Sequence, residues 1–158
     1  MGSTLRSALT AILAILLAAH CVLLPGPPQA AVPEPRSMAT LPEADWTAIK
    51  ALISEQLAAL KAGDGMKAFG YASPGIRQQF GSGGAFLEMV RTSYGALLAA
   101  RYTEFLEGAV IDGRVIQPLR VIGPDNTVLV ALYTMEQQQG GGWKIAGCIL
   151  APSTVKAA

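Results

Sequence analysis

Apolar positions divide the chain into an apolar leader, a helical stretch and a stretch of strands. From Ala8 to Leu24 nearly every residue is apolar, with Thr10 and His20 as exceptions. Further on, Trp46, Ile49, Leu52, Ile53, Leu57 and Leu60 recur at helical spacing. Lys50, Ser54, Glu55 and Lys61 fall outside that stripe, as expected for an amphipathic helix. Thr40-Leu41-Pro42-Glu43 supplies its start, with Thr40 as cap and Glu43 reaching back to it. Gly63-Asp64-Gly65 ends it. A second short helix is predicted from about Asp64 to Ala72, burying Met66 and Phe69. A third follows the Ser73-Pro74 cap and carries Ile76 and Phe80. The run Gly81-Ser82-Gly83-Gly84 breaks it, and a fourth helix spans Ala85 to Leu98 with Phe86, Met89, Val90 and Tyr94 on one side.

The period then shortens. Arg101 to Asp112 reads as a strand, bent or bulged near Gly108, and Arg114 to Ile122 as another. Pro118 cannot donate to a ladder, so this second strand is expected at an edge or bulged. Gly123-Pro124-Asp125-Asn126 is a turn by composition. Thr127 to Gln137 carries Val128, Val130 and Leu132 on one face and Leu129, Ala131, Tyr133 and Met135 on the other. Two apolar faces predict a central strand covered on both sides. Gln138 to Gly142 forms a hairpin loop before the last strand, Trp143 to Leu150. Helices followed by a four-stranded antiparallel meander define an α+β domain with its helices on one sheet face.

The leader changes the picture of where this domain works. Arg6 precedes the apolar run, and Pro25-Gly26-Pro27-Pro28-Gln29-Ala30-Ala31 follows it, the order of a secretory signal. Cutting after Ala30 or Ala31 leaves Pro28 or Gln29 at the third position back, a poor cleavage pattern, and His20 before Cys21 does not fit a lipoprotein. Residues 1–30 are therefore either a signal peptide or an uncleaved membrane anchor. Both place the domain outside the cytoplasm, periplasmic or secreted. Residues 31–39 form a stiff Pro-rich linker, 40–152 the single domain and 153–158 a tail.

Composition narrows the chemistry. The 158 residues are 51% hydrophobic and 15% charged, which excludes a disordered chain. A net charge of +1 gives no long-range field for a polyanion, so no nucleic-acid partner is expected. The membrane enters only through residues 1–30 if they stay attached. The exported part contains no histidine, which removes Ser-His-Asp and Cys-His nucleophiles and His-ligated zinc. Cys148 is alone there and cannot form an internal disulfide. Its apolar neighbours Ile145, Ile149 and Leu150 predict an inert thiol with a raised pKa. No carboxylates recur at metal-binding spacing. No metal or cofactor is expected.

Ile53-Ser54-Glu55-Gln56-Leu57, Gly63-Asp64, Ala72-Ser73-Pro74-Gly75-Ile76, Phe86-Leu87-Glu88-Met89-Val90 and Ser93-Tyr94 resemble the family called domain of unknown function 4864. The most specific motif is Trp143-Lys144-Ile145-Ala146-Gly147-Cys148. That family looks similar to the nuclear transport factor 2-like superfamily of cone-shaped α+β domains. The resemblance implies helices closing over a curved sheet and a pocket between them. It implies no activity. Superfamily enzymes use an Asp or an Asp-His pair in the cone, and this chain has no histidine to offer there.

The candidate pocket residues are Gln56, Tyr71, Tyr94, Tyr102, Gln117, Tyr133, Trp143 and Cys148. The tyrosines combine an apolar ring with a polar tip that can converge on a ligand, and the two glutamines are buried amides in need of partners. Trp143 and Cys148, five apart, fall on opposite faces of a regular strand and share a site only if a bulge intervenes. Without one, Trp143 shares its face with Ile145, Gly147 and Ile149. Asp64 and Ser73 read as helix caps, and Gly140-Gly141-Gly142 as a loop with no helix start behind it to cradle phosphate. The function expected is a non-enzymatic module binding a small apolar or amphipathic ligand, or a protein partner, with a homodimer as an addition. The alternative is a His-free lyase or isomerase using an Asp or Tyr in the pocket.

Overall fold

A computed structural model describes residues 41–153. The leader, the Pro-rich linker, Thr40 and residues 154–158 lie outside the described residues, as do His20 and Cys21.

Among the described residues, five helices precede five strands. Helix α1, Glu43–Lys61, begins after Pro42 with no side-chain cap. Glu43 and Asp45 in its first turn and Lys61 in its last suit the helix dipole. α2, Gly65–Gly70, is capped by Asp64, whose carboxylate accepts from the Lys67 amide at 2.9 Å. α3, Pro74–Phe80, is capped by Ser73. α4, Gly83–Ser93, starts two residues earlier than its sequence predicts because Ser82 caps it. The predicted fourth helix is interrupted at Tyr94, which leaves helical geometry at φ −125° and ψ 26°. A separate turn, α5, Gly95–Leu98, follows.

The strands form one antiparallel sheet. β3, Arg114–Ile122, pairs with β4, Val128–Gln137, and β4 with β5, Trp143–Pro152. The strand predicted over 101–112 is split. β1, Tyr102–Phe105, and β2, Ala109–Ile111, both pair with β3, and Leu106–Gly108 lies between them. The ring of Trp46 fills this break. A Cβ on Gly108 would overlap it, so only glycine leaves it room. β3 is therefore interior, not the edge strand that Pro118 predicts. The proline survives because its nitrogen faces the break. Its carbonyl accepts from the Leu106 amide at 3.0 Å. The bond that a Pro118 N–H would return to the Leu106 carbonyl is made instead by Gln117 Nε2, at 2.8 Å.

Helices cover one face of the sheet. Val115, Leu119, Val121, Ala131, Tyr133, Met135, Trp143 and Ile145 meet Ile49, Ile53 and Leu57 of α1 and Leu97 of α5. A second apolar cluster lies among the helices, with Leu60, Ala68, Phe86, Leu87 and Val90 at its centre. There α2 and α4 touch backbone to backbone. A Cβ on Gly83 would meet Gly65 O at 2.7 Å. The second apolar face of β4, expected to be covered, is half-buried at Val128, Val130 and Leu132 with no helix packed on it among the described residues.

Candidate functional site

The last strand makes the site by being irregular. Met135 stands opposite Ile145, but Thr134 stands opposite Gly147, so Ala146 is an extra residue in β5. Such a bulge reverses the inward and outward order downstream. Tyr133 then faces Cys148, and Ala131 faces Leu150. Trp143 and Cys148 thus share the helix-facing side, the outcome that an intervening bulge allows. Trp143 does not share its face with Gly147 and Ile149. Ile149 points away and is 65% exposed.

Where the bulge bends away, a cavity of about 240 Å³ opens between β5 and the helices. α1 contributes Gln56 and Leu60, and α3 contributes Ile76, Gln79 and Phe80. α4 contributes Phe86, Met89 and Val90. Tyr94 and Leu97 close one side, and Ile145 to Cys148 form the strand wall. The walls are mostly apolar, and among the described residues no Asp, Glu, Lys or Arg lines them.

Three of the eight candidates meet here: Gln56, Tyr94 and Cys148. Gln56 is 3% exposed and donates through Nε2 to the Ala68 carbonyl at 3.2 Å. Tyr94 donates its hydroxyl proton to the Cys148 carbonyl at 2.6 Å. It thereby satisfies a strand-edge acceptor, and burial raises its pKa. Burial likewise pushes the Cys148 thiol from 9.0 up to about 12, and the neighbouring Tyr133 hydroxyl offsets only part of this. A thiol so high is protonated and a poor nucleophile at neutral pH.

The other five stand elsewhere. Trp143 packs under α1, and its Nε1 donates to Asp45 Oδ1 at 2.8 Å. Gln117 spans the break in the edge strand. Tyr133 lies behind Cys148, fully buried, its hydroxyl against the sulfur but without a hydrogen bond of normal geometry. Tyr71 sits at the end of α2, where Glu55 beside its hydroxyl raises its pKa. Tyr102 is on the uncovered sheet face, 52% exposed. Six of the fourteen lining residues come instead from α3 and α4. Phe80 and Phe86, on either side of the glycine-rich break, meet edge to face at 5.8 Å. Their apolar spacing was legible, but the chain between them turns, so periodicity alone could not show that they face one space.

Among the described residues, no cluster of three His, Cys, Asp or Glu side chains could hold a metal. None of their helices is long and apolar enough to cross a membrane.

Fold and cavity together define a small α+β domain with an uncharged, ligand-sized space between its helices and the bulged strand of its sheet. Residues 42–158 match the family described as Domain of unknown function (DUF4864), and the chain belongs to that family. The motif from Trp143 to Cys148 is the bulged strand itself. No curated protein and no solved structure matches the chain.

Proposed function

We propose that this is an exported, non-enzymatic module that holds a small apolar or amphipathic ligand between its helices and sheet. The observation that carries this reading is the cavity of about 240 Å³, walled by apolar side chains with a few polar groups at fixed places, the usual character of a small-molecule site. Helices over a sheet with a space between them also support the likeness to nuclear transport factor 2-like cones. Native mass spectrometry on protein isolated from its own cells tests the reading. A small-molecule adduct is expected, and Met89→Trp, which fills the cavity from its rim, should displace it. No adduct and no extractable molecule would overturn the proposal.

Two other readings compete. A His-free lyase or isomerase needs a carboxylate or a low-pKa tyrosine at the cavity. Among the described residues no carboxylate lines it, and Tyr94 is shifted upward, away from the range of a general base. Homodimerisation is favoured by the uncovered sheet face, where Tyr102 and Ile149 are exposed beside half-buried Ile116, Pro118 and Leu132. A single-chain mass by light scattering of residues 31–158 at high concentration would contradict a dimer. Export itself is read from residues 1–30. Sequencing the amino terminus of protein recovered from cells separates a cleaved signal from a retained anchor.

A further inference from the structure

Two of the polar groups facing the cavity, Gln56 and Tyr94, have a direction, whereas Gln79 at the exposed rim can turn its amide either way. The Ala68 carbonyl can only accept, so the Gln56 side chain must present its NH2 there, and its Oε1 lies at the opposite end of the amide. Among the described residues, no hydrogen bond reaches that oxygen. It is not among the fully enclosed unpaired atoms, which are Gln117 Oε1 and Tyr133 Oη. The residue is 3% exposed and lines the cavity. Tyr94 reinforces the asymmetry. Its only proton is committed to the Cys148 carbonyl, and its oxygen can only accept from anything beside it. The Cys148 thiol is a weak donor at best.

We infer that Gln56 Oε1 turns its free face to this space and that the cavity selects an uncharged, compact apolar molecule bearing an N–H or O–H donor for that oxygen. This rests on the ligand-binding reading above and specifies its chemistry. A charge is unwelcome because no opposite charge lines the walls among the described residues, and an unpaired buried ion is costly. A ligand offering only acceptors would leave Oε1 desolvated and unpaired. Size is bounded as well. Apolar cavities of about 150 Å³ take a single benzene ring, so this one has room for a fused bicycle.

Indole and benzofuran test the inference, because they share shape and differ in the N–H. Titrated into the full-length protein by calorimetry or ligand-observed NMR, indole should bind about tenfold more tightly than benzofuran, the worth of one hydrogen bond. 1-Methylindole should behave like benzofuran. Gln56→Met, close in length and without an amide, should equalise the pair. Equal binding of indole and benzofuran to the unaltered protein would overturn the donor rule and leave the ligand-binding reading standing. Discrimination that persists in folded Gln56→Met would overturn the role of Gln56. Failure of all three bicycles to bind would count against both. If the variant does not fold, the comparison on the unaltered protein still decides the donor rule.

Discussion

The two apolar clusters of this domain are built to different tolerances. Under α1, the sheet-facing residues Ile49, Ile53, Val121 and Ala131 are 0% exposed. They are ringed by Leu57, Val115 and Trp143 at 7–8%; among the helices only Ala68 reaches 0%, Phe86, Leu87 and Val90 keep 6–7%, and a cavity remains beside them. The sheet side joins branched residues to a ladder whose hydrogen bonds fix every position. The helical side stacks short helices whose phenylalanines and Met89 can shift without breaking a ladder. One region is closed around the sheet, and the other borders the cavity. Ile53→Ala should therefore cost about 3 kcal/mol, because its tightly packed neighbours cannot collapse into the void. Met89→Ala, half-buried and already bordering empty space, should cost about 1 kcal/mol or less. Urea unfolding of both variants checks this. Equal losses would mean that the two clusters are equally close-packed.

Rigidity on the sheet side also depends on one buried amide. Gln117 Nε2 bonds the carbonyls of Leu106 and Pro118 at 2.8 and 3.0 Å, closing the gap that proline leaves in the ladder. Gln117→Leu should strip the Leu106 carbonyl of its partner and cost about 2 kcal/mol. Pro118→Ala restores a backbone N–H directed at the same gap. The double variant Gln117→Leu/Pro118→Ala should therefore be more stable than Gln117→Leu alone. A double variant that loses the sum of the two single losses would show that the amide does not stand in for the missing N–H.

What the sequence disclosed follows the same division. The stripe of α1, the turn at Gly123–Asn126 and the alternation along β4 were legible because each rests on local spacing or local turn chemistry, whereas Met66, expected to be buried on α2, is 72% exposed and the second face of β4 is only half-buried. The caps at Asp64 and Ser73 were legible for the same reason. The interior place of β3 was not. Pro118 argues correctly against an unbroken ladder, but only the folded chain puts the break, Gln117 and Trp46 at one point. The bulge was hidden too, since one extra residue in Trp143–Pro152 leaves the composition of a strand unchanged and reverses which side chains face inward. That reversal decides the site, because Cys148 reaches the cavity only beyond Ala146. Gln56 and Tyr94 could be named from sequence because a polar group on an apolar stripe stands out. Phe80, Phe86 and Met89 could not be set apart from ordinary core.

The two regions meet at Cys148, and pH reads that junction. Its thiol rises from 9.0 to about 12 on folding, chiefly through burial. The unfolded chain ionises first, so the protection is whole below pH 9 and lost as the pH climbs toward the folded value. The expected slope is about 1.4 kcal/mol per pH unit. Stability measured from pH 8 to pH 10 should fall in the unaltered protein and less steeply in Cys148→Ala. The fully buried Tyr133, also raised well above its ordinary value, adds a further loss above pH 10, so the contrast is best read below that point. Parallel profiles for the two proteins would mean that water reaches the thiol and that the cavity is not closed off there.

The smallest expected effect tests why the helical side is the looser one. α4 opens with Gly83 and Gly84, each a poorer helix former than alanine by about 1 kcal/mol. Gly83 cannot change, because a Cβ there would lie 2.8 Å from Met66 Cα as well as against Gly65 O. Close approach of α2 and α4 thus fixes a weak first turn. Ser82 compensates by accepting from the Ala85 amide at 3.2 Å. Ser82→Ala should cost about 1 kcal/mol. Gly84 has open surroundings, where a methyl group would meet only the Ser82 hydroxyl, at 4.0 Å. Gly84→Ala should therefore return about 0.5–1 kcal/mol. The pair should unfold near the midpoint of the unaltered protein. If Ser82→Ala is silent, the first turn of α4 is held by its contact with α2 and not by its cap. The helix that carries Phe86, Met89 and Val90 to the cavity is then as firmly seated as the sheet.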